Sequence, residues 1–199
     1  MDFESAGPSV VKSIRQRVLL NAWLRLFVKS GLVPAIADFE PERAADELRN
    51  LALLRVDSSV SPPQITFMRE SAIMAAAYGE ASEGRSLDEY MGPHHGPVVL
   101  PVYFECIRRA RPTYTIFMYR DLVGRSVAYE RLLLPFATAG RVTDIFASHN
   151  NISEDGKFEA NNLIRAAEPL PEPALRAVID RDLVHRPQTN TPAGDIVEI

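Results

Sequence analysis

Val127-Ala128-Tyr129-Glu130-Arg131-Leu132-Leu133-Leu134-Pro135 reads as a β-strand that is largely apolar on both faces. Side chains alternate along a strand, so Tyr129 and Leu133 point to one side and Ala128, Leu132 and Leu134 to the other. A strand with one wet face would alternate cleanly between apolar and polar residues. This one expects cover on both sides. In a chain of 199 residues that implies a sheet with helices on one face and a further element, or a second subunit, on the other.

Glu130 and Arg131 interrupt the run and point to opposite faces, so they do not pair simply with each other. A buried charge needs a counter-charge. Asp38, Glu40, Arg55 and Arg69 are the candidates, which makes a structural ion pair the first expectation. A polar anchor at the mouth of a pocket is the functional alternative.

Composition bounds the rest. The length suits one domain with flanking arms and a substantial core. Hydrophobic content of 46% and charged content of 24% are ordinary. A net charge of −4 argues against bulk nucleic-acid binding. No apolar run approaches the roughly 18 residues of a membrane span, and the acidic start Met1-Asp2-Phe3-Glu4 is unlike a secretory signal. One cysteine, Cys106, makes no internal disulfide and suits a reducing cytoplasm.

Outward from the central strand the elements follow from periodicity and punctuation. Residues 9–29 read as a helix stopped by Gly31 and Pro34. Lys12, Arg15, Arg17, Arg25 and Lys29 make it basic, and Leu20, Trp23, Leu24 and Phe27 form its apolar stripe. That stripe is expected to pack on its own sheet or on a twin. An anionic membrane surface is a weaker reading, since Leu26 and Val28 broaden the apolar surface beyond an interfacial face. Residues 34–50 begin as a loop and end in a short helix over 42–48. Residues 51–57 and 64–69 are two strands joined by a Ser- and Pro-rich hairpin. Residues 71–78 form a short buried helix ending at Gly79. A polar stretch with a possible helical turn at 86–90 runs to Gly96, and a helix follows over 101–110, with Pro101 at its first position. Residues 113–119, 126–134 and 141–149 are three further strands. After the stiff linker at 168–173, residues 174–183 read as a last short helix, and from Pro187 the chain reads as unstructured.

This order gives an α+β fold: a five-stranded antiparallel sheet, helices on one face and the N-terminal helix covering the other. The corresponding division is an N-terminal helix over 1–33, a central domain over 34–150 and a C-terminal extension over 151–199. The residues also carry a likeness. Trp23 followed by Pro34 and Asp38-Phe39-Glu40-Pro41 begins it, with Phe67-Met68-Arg69 entering a small-residue helix. Gly84-Arg85-Ser86-Leu87-Asp88-Glu89, Arg111-Pro112-Thr113-Tyr114 and Tyr129-Glu130-Arg131-Leu132-Leu133-Leu134-Pro135 leading to Gly140 complete it. Over about residues 20–150 the chain resembles the short single-domain PAS-type proteins of bacteria. The resemblance implies a PAS-like fold and a cytoplasmic sensory or signal-adaptor module without fixed catalytic residues. Gly92-Pro93-His94-His95-Gly96-Pro97 departs from that pattern, as does the tail.

The chemistry-bearing residues also have plain structural roles to fill. A PAS pocket can hold haem through a histidine from its helical side. His94 and His95 are adjacent and point in different directions, so polar surface is expected of them rather than haem or metal. Cys106 lacks the Asn-Cys-Arg-Phe context of the flavin-adduct cysteine in light-sensing relatives, so a small buried thiol is expected and flavin is not. No nucleophile elbow, phosphate-binding loop or zinc motif is present. Phe67, Ile73, Met74, Phe104, Ile107, Phe117 and Tyr129 are the candidate lining of a ligand pocket between sheet and helices. Leu20, Trp23, Leu24 and Phe27 are the candidate dimer or partner surface. The expected protein is a non-catalytic homodimer that binds a small ligand, a signalling partner, or both. A ligand-free adaptor is the alternative, and nucleic acid is not an expected partner.

Overall fold

The computed structural model describes residues 2–40, 50–121, 123–153, 156–158, 160–165, 170 and 173–181. Among these lie seven strands: β1 (Glu4–Ala6), β2 (Leu51–Asp57), β3 (Gln64–Arg69), β4 (Thr113–Arg120), β5 (Ser126–Thr138), β6 (Arg141–Ser153) and β7 (Pro173–Ile179). Three α-helices join them: α1 (Ile14–Ser30), α2 (Ala72–Tyr78) and α3 (Leu87–Arg109). One sheet takes all the strands in the order β1-β7-β4-β5-β6-β2-β3. Pairing is antiparallel from β7 through to β3, and β1 lies parallel to β7.

The sheet therefore has two strands more than the five expected. The segment at 174–183, expected to be helical, is strand β7 over most of its length. Leu175, Ala177 and Ile179 alternate with Arg176 and Val178, a period of two that fits a strand docked on the free edge of β4. The expected helix over 42–48 and the tail from Pro187 lie outside the described residues.

Helix α1 starts later than expected, at Ile14, because Pro8–Val10 forms a separate 3₁₀ turn. The Ser13 hydroxyl caps it by accepting from the Gln16 N–H, and Gly31 ends it in the left-handed region at φ 69°. Leu20 and Trp23 are wholly buried against the sheet with Leu132, Leu134 and Phe136, and the Trp23 indole Nε1 donates to the Pro135 carbonyl at 2.7 Å. Phe27 is buried in the same cluster and Leu24 only partly so. Most of that stripe is thus spent inside the chain.

The opposite face of the sheet is covered by α2 and α3. The largest departure from the sequence reading is α3, which runs through the Gly-Pro segment read as loop. Gly92, at φ 62° and ψ −176°, breaks it into two pieces, and Pro93 opens the second. Pro97 and Pro101 follow at four-residue intervals, and all three prolines are exposed. Their missing N–H groups leave the carbonyls of residues 93 and 97 without helical donors, and both lie on the side where water can serve them.

Candidate functional site

The site grows from the register of three strands. On β5, Arg131 stands opposite Thr115 of β4 and His149 of β6. Thr115 in turn stands opposite Arg176 of β7. Directly paired residues share a face, so Arg176, Thr115, Arg131 and His149 form one row across the sheet. The next row adds Phe117, Tyr129 and Asn151. Both rows face the helical layer, because Tyr129, Phe117 and Leu133 belong to the cluster packed under α2 and α3. Tyr78 at the end of α2 and Tyr103 of α3 close over them.

Arg131 is 1% exposed. Its guanidinium lies 5.7 Å from the Tyr103 ring centre and 5.6 Å from that of Tyr129. The Tyr129 ring is tilted against His149 at 5.7 Å. Among the described residues no carboxylate comes within ion-pair distance of Arg131, so the expected structural ion pair is not present. Glu130, also 1% exposed, lies on the other face and accepts from Asn150 Nδ2 at 3.2 Å. Of the four candidate partners, Arg55 binds Asp144 at 2.8 Å, Arg69 stacks on Phe146, and Asp38 and Glu40 are exposed.

What distinguishes this zone is how much of it is unsatisfied. The hydroxyls of Tyr78, Tyr103, Tyr129 and Thr115, Nε and Nη1 of Arg131, both ring nitrogens of His149 and Oδ1 of Asn151 are all buried without a hydrogen-bond partner among the described residues. Buried polar groups are ordinarily paired, and each orphan costs roughly 1–3 kcal/mol. One such atom in a core is an irregularity. These groups gather around one buried cation.

Protonation states follow from the surroundings. Burial pushes the Tyr78, Tyr103 and Tyr129 hydroxyls up, with Tyr119 pushed to about 12, so all four stay neutral and able to donate. Burial opposes the charge of Arg131, but arginine does not shed its proton in proteins, so the guanidinium stays charged. His149 is held well below 6.5, first by burial and then by the nearby Arg131, and is neutral at pH 7. Arg131 gives the zone a wholly buried positive charge, and Arg176 in the same row a second, partly buried one.

All seven residues expected to line a pocket lie on this side of the sheet. Phe67, Met74, Phe117 and Tyr129 are buried, while Ile73, Phe104 and Ile107 pack partly buried against the same cluster. A cavity of about 310 Å³ lies beside the β2–β3 loop, lined by Val60, Ile65, Leu87, Leu100 and Phe104 among others. Of the seven, Phe104 alone reaches it. Sequence reasoning named Arg131 and Tyr129 but not Tyr78, Thr115, His149 or Asn151. The signal was available in the two Gly-containing turns, which set the meander's register and so bring Thr115 and His149 beside Arg131.

His95, expected at the surface, is buried, with Nε2 3.1 Å from the Ile164 carbonyl and its ring edge-on to Tyr78 at 5.6 Å. It sits inside α3, which turns it under the 160–165 segment, whereas His94 is exposed. Cys106 is buried, and burial pushes its thiol up to about 12.

No protein-family model and no curated protein matches the sequence significantly. A solved structure from work in which a flavin analogue sheds light on the mechanism of a light-oxygen-voltage domain aligns with 56% of this chain and 84% of its own, at 16% identity and a TM-score of 0.38. So distant a likeness bears no functional weight.

Proposed function

We propose that this chain is a PAS-type sensory module, a binding protein rather than an enzyme, whose small ligand seats between the sheet and α2/α3. The observation that carries this reading is Arg131: a buried guanidinium that has no counter-ion among the described residues and is ringed by buried hydroxyls without partners there. A ligand that satisfies them contacts β4, β5 and β6 on one side and Tyr78 and Tyr103 on the other. Its binding therefore favours one seating of α2 and α3 over others, a population shift that changes the surface offered to a signalling partner. Supporting the PAS-type reading are the order of the inner strands, β4-β5-β6-β2-β3, and the insertion of α2 and α3 between β3 and β4.

Self-association belongs to the same proposal, through a different surface from the one first expected. Leu20, Trp23 and Phe27 face inward, and the outer side of α1 presents Ile14 (73% exposed), Val18, Val28 and Leu32 (71%). No helix among the described residues is long and apolar enough to cross a membrane.

Native mass spectrometry of freshly purified protein tests the ligand directly. We expect excess mass per subunit that disappears on denaturation. A sequence-mass subunit under native conditions, with no stabilisation by any small molecule in a metabolite screen, would leave the adaptor reading in its place.

A further inference from the structure

Resting on the reading of the polar zone as a ligand site, we infer that its ligand is an organic monocarboxylate, with the carboxylate against the Arg131 guanidinium between Tyr103 and Tyr129. Arginine does not shed its proton in proteins, so the charge cannot be relieved by neutralisation. Among the described residues, every side that faces it lacks an anion. Tyr78 comes from α2, Tyr103 and Cys106 from α3, Thr115 and Tyr119 from β4, Tyr129 from β5, and His149 and Asn151 from β6. Asp144 is occupied by Arg55, and Glu130 lies on the opposite face. A ligand supplies the counter-charge that the described residues lack.

The donors suit an anion. Charge-assisted hydrogen bonds from a guanidinium to a carboxylate are about twice as strong as neutral ones. Arg131 offers Nε–H on one edge and Nη1–H on another, each with no partner among the described residues, so a carboxylate oxygen takes a single bond from either, and the Tyr103, Tyr129 and Tyr78 hydroxyls can complete its lone pairs. One wholly buried cation neutralises one negative charge. A phosphate dianion would bring a second charge with no second buried cation to meet it. Arg176, in the same row but only partly buried, directs Nη2 to the Val98 carbonyl at 3.4 Å and lies over the Phe3 ring. The remaining surroundings, Met74, Val102, Phe117 and Leu133, are apolar, so the rest of the ligand is carbon rather than a second ionised group.

The test uses the full chain in a chloride-free buffer and follows thermal unfolding against concentration of acetate, butyrate and benzoate. Acetamide, butyramide and benzamide serve as neutral matches, with inorganic phosphate and chloride alongside. We expect at least one carboxylate to raise Tm in a saturable way while its amide does not. Arg131→Met abolishes the response, and Tyr103→Phe or Tyr129→Phe weakens it several-fold. Should Arg131→Met fail to fold, the two tyrosine variants decide, and an unchanged response in both overturns the assignment. Amides equal to acids would overturn the anion while leaving a ligand site in place. Phosphate above the carboxylates, or chloride equal to them, would overturn the carboxylate. No shift with any of the three acids overturns the inference outright, and native mass spectrometry then judges the ligand site separately.

Discussion

The two faces of the sheet are built from the same strands and finished in opposite ways. On the α1 face nearly every buried polar group is answered within the chain. Trp23 donates to the Pro135 carbonyl, Gln16 Nε2 to the Ser148 carbonyl at 3.0 Å, and the Lys12 backbone N–H to the Tyr114 hydroxyl at 3.2 Å. Among the described residues only Gln16 Oε1 and Arg69 Nη2 are left there. Turned through one residue along β5, Arg131 has the α2/α3 face, where hydroxyls, imidazole and guanidinium are buried together and unanswered. Burial is equally complete on both. The two faces differ in whether the described residues supply their own partners, and that is a more telling observation than the size of any cavity.

This contrast can be broken from either side. The largest effect belongs to the closed face. Trp23→Ala removes a wholly buried ring and its hydrogen bond, and should cost about 3–5 kcal/mol in urea unfolding. Any folded fraction should still take up ligand, because the polar zone is untouched. On the other face, Gly79 holds φ at +74°, and a Cβ there would stand 2.0 Å from Asn162 Oδ1. Gly79→Ala should cost at least about 1–2 kcal/mol through the left-handed backbone alone. It should loosen the 160–165 cover of α2 and leave the fluorescence of Trp23, the single tryptophan, unchanged in the folded state.

The pH dependence comes next. His149 is neutral in the folded protein because its pKa is held well below 6.5, and His95 is lowered as well, chiefly by burial. The unfolded chain therefore takes up protons that the folded chain refuses. The stability these groups contribute is complete above pH 6.5 and is lost as the pH falls towards their folded values. The slope is at most about 1.4 kcal/mol per pH unit for each histidine. His149→Gln should flatten the loss measured by urea titrations between pH 6.5 and 5, and an unchanged slope would place the proton uptake elsewhere. The smallest effect is reserved for the outer side of α1. Ile14→Ser with Leu32→Ser should alter subunit stability by no more than about 0.5 kcal/mol and weaken self-association in sedimentation equilibrium.

The sequence disclosed the parts whose signals are local. Strand β2 ends and β3 begins where Ser and Pro crowd the chain, α2 ends at Gly79, and the apolar run at 132–134 announces a strand buried on both sides. It concealed the first half of α3, since Gly92, Pro93 and Pro97 speak for a loop unless the prolines are seen to share one solvent-facing edge. Strand β7 was hidden by its short length and the prolines before it, and only the exposed edge of β4 gives it a partner. The site was half legible. Arg131 stood out as a charge in an apolar strand, but its neighbours Thr115 and His149 are distant in sequence, and Tyr78 and Tyr103 reach it only through the packing of two helices.

The most direct test is the stability of ligand-free Arg131→Met beside the ligand-free parent. If the guanidinium is there for a ligand, it burdens the empty protein, and its replacement by a side chain of similar length should stabilise the fold by about 1–4 kcal/mol while ligand uptake is lost. If Arg131 instead holds the core together, the same substitution will destabilise it, and the contrast between the two faces will have been misread.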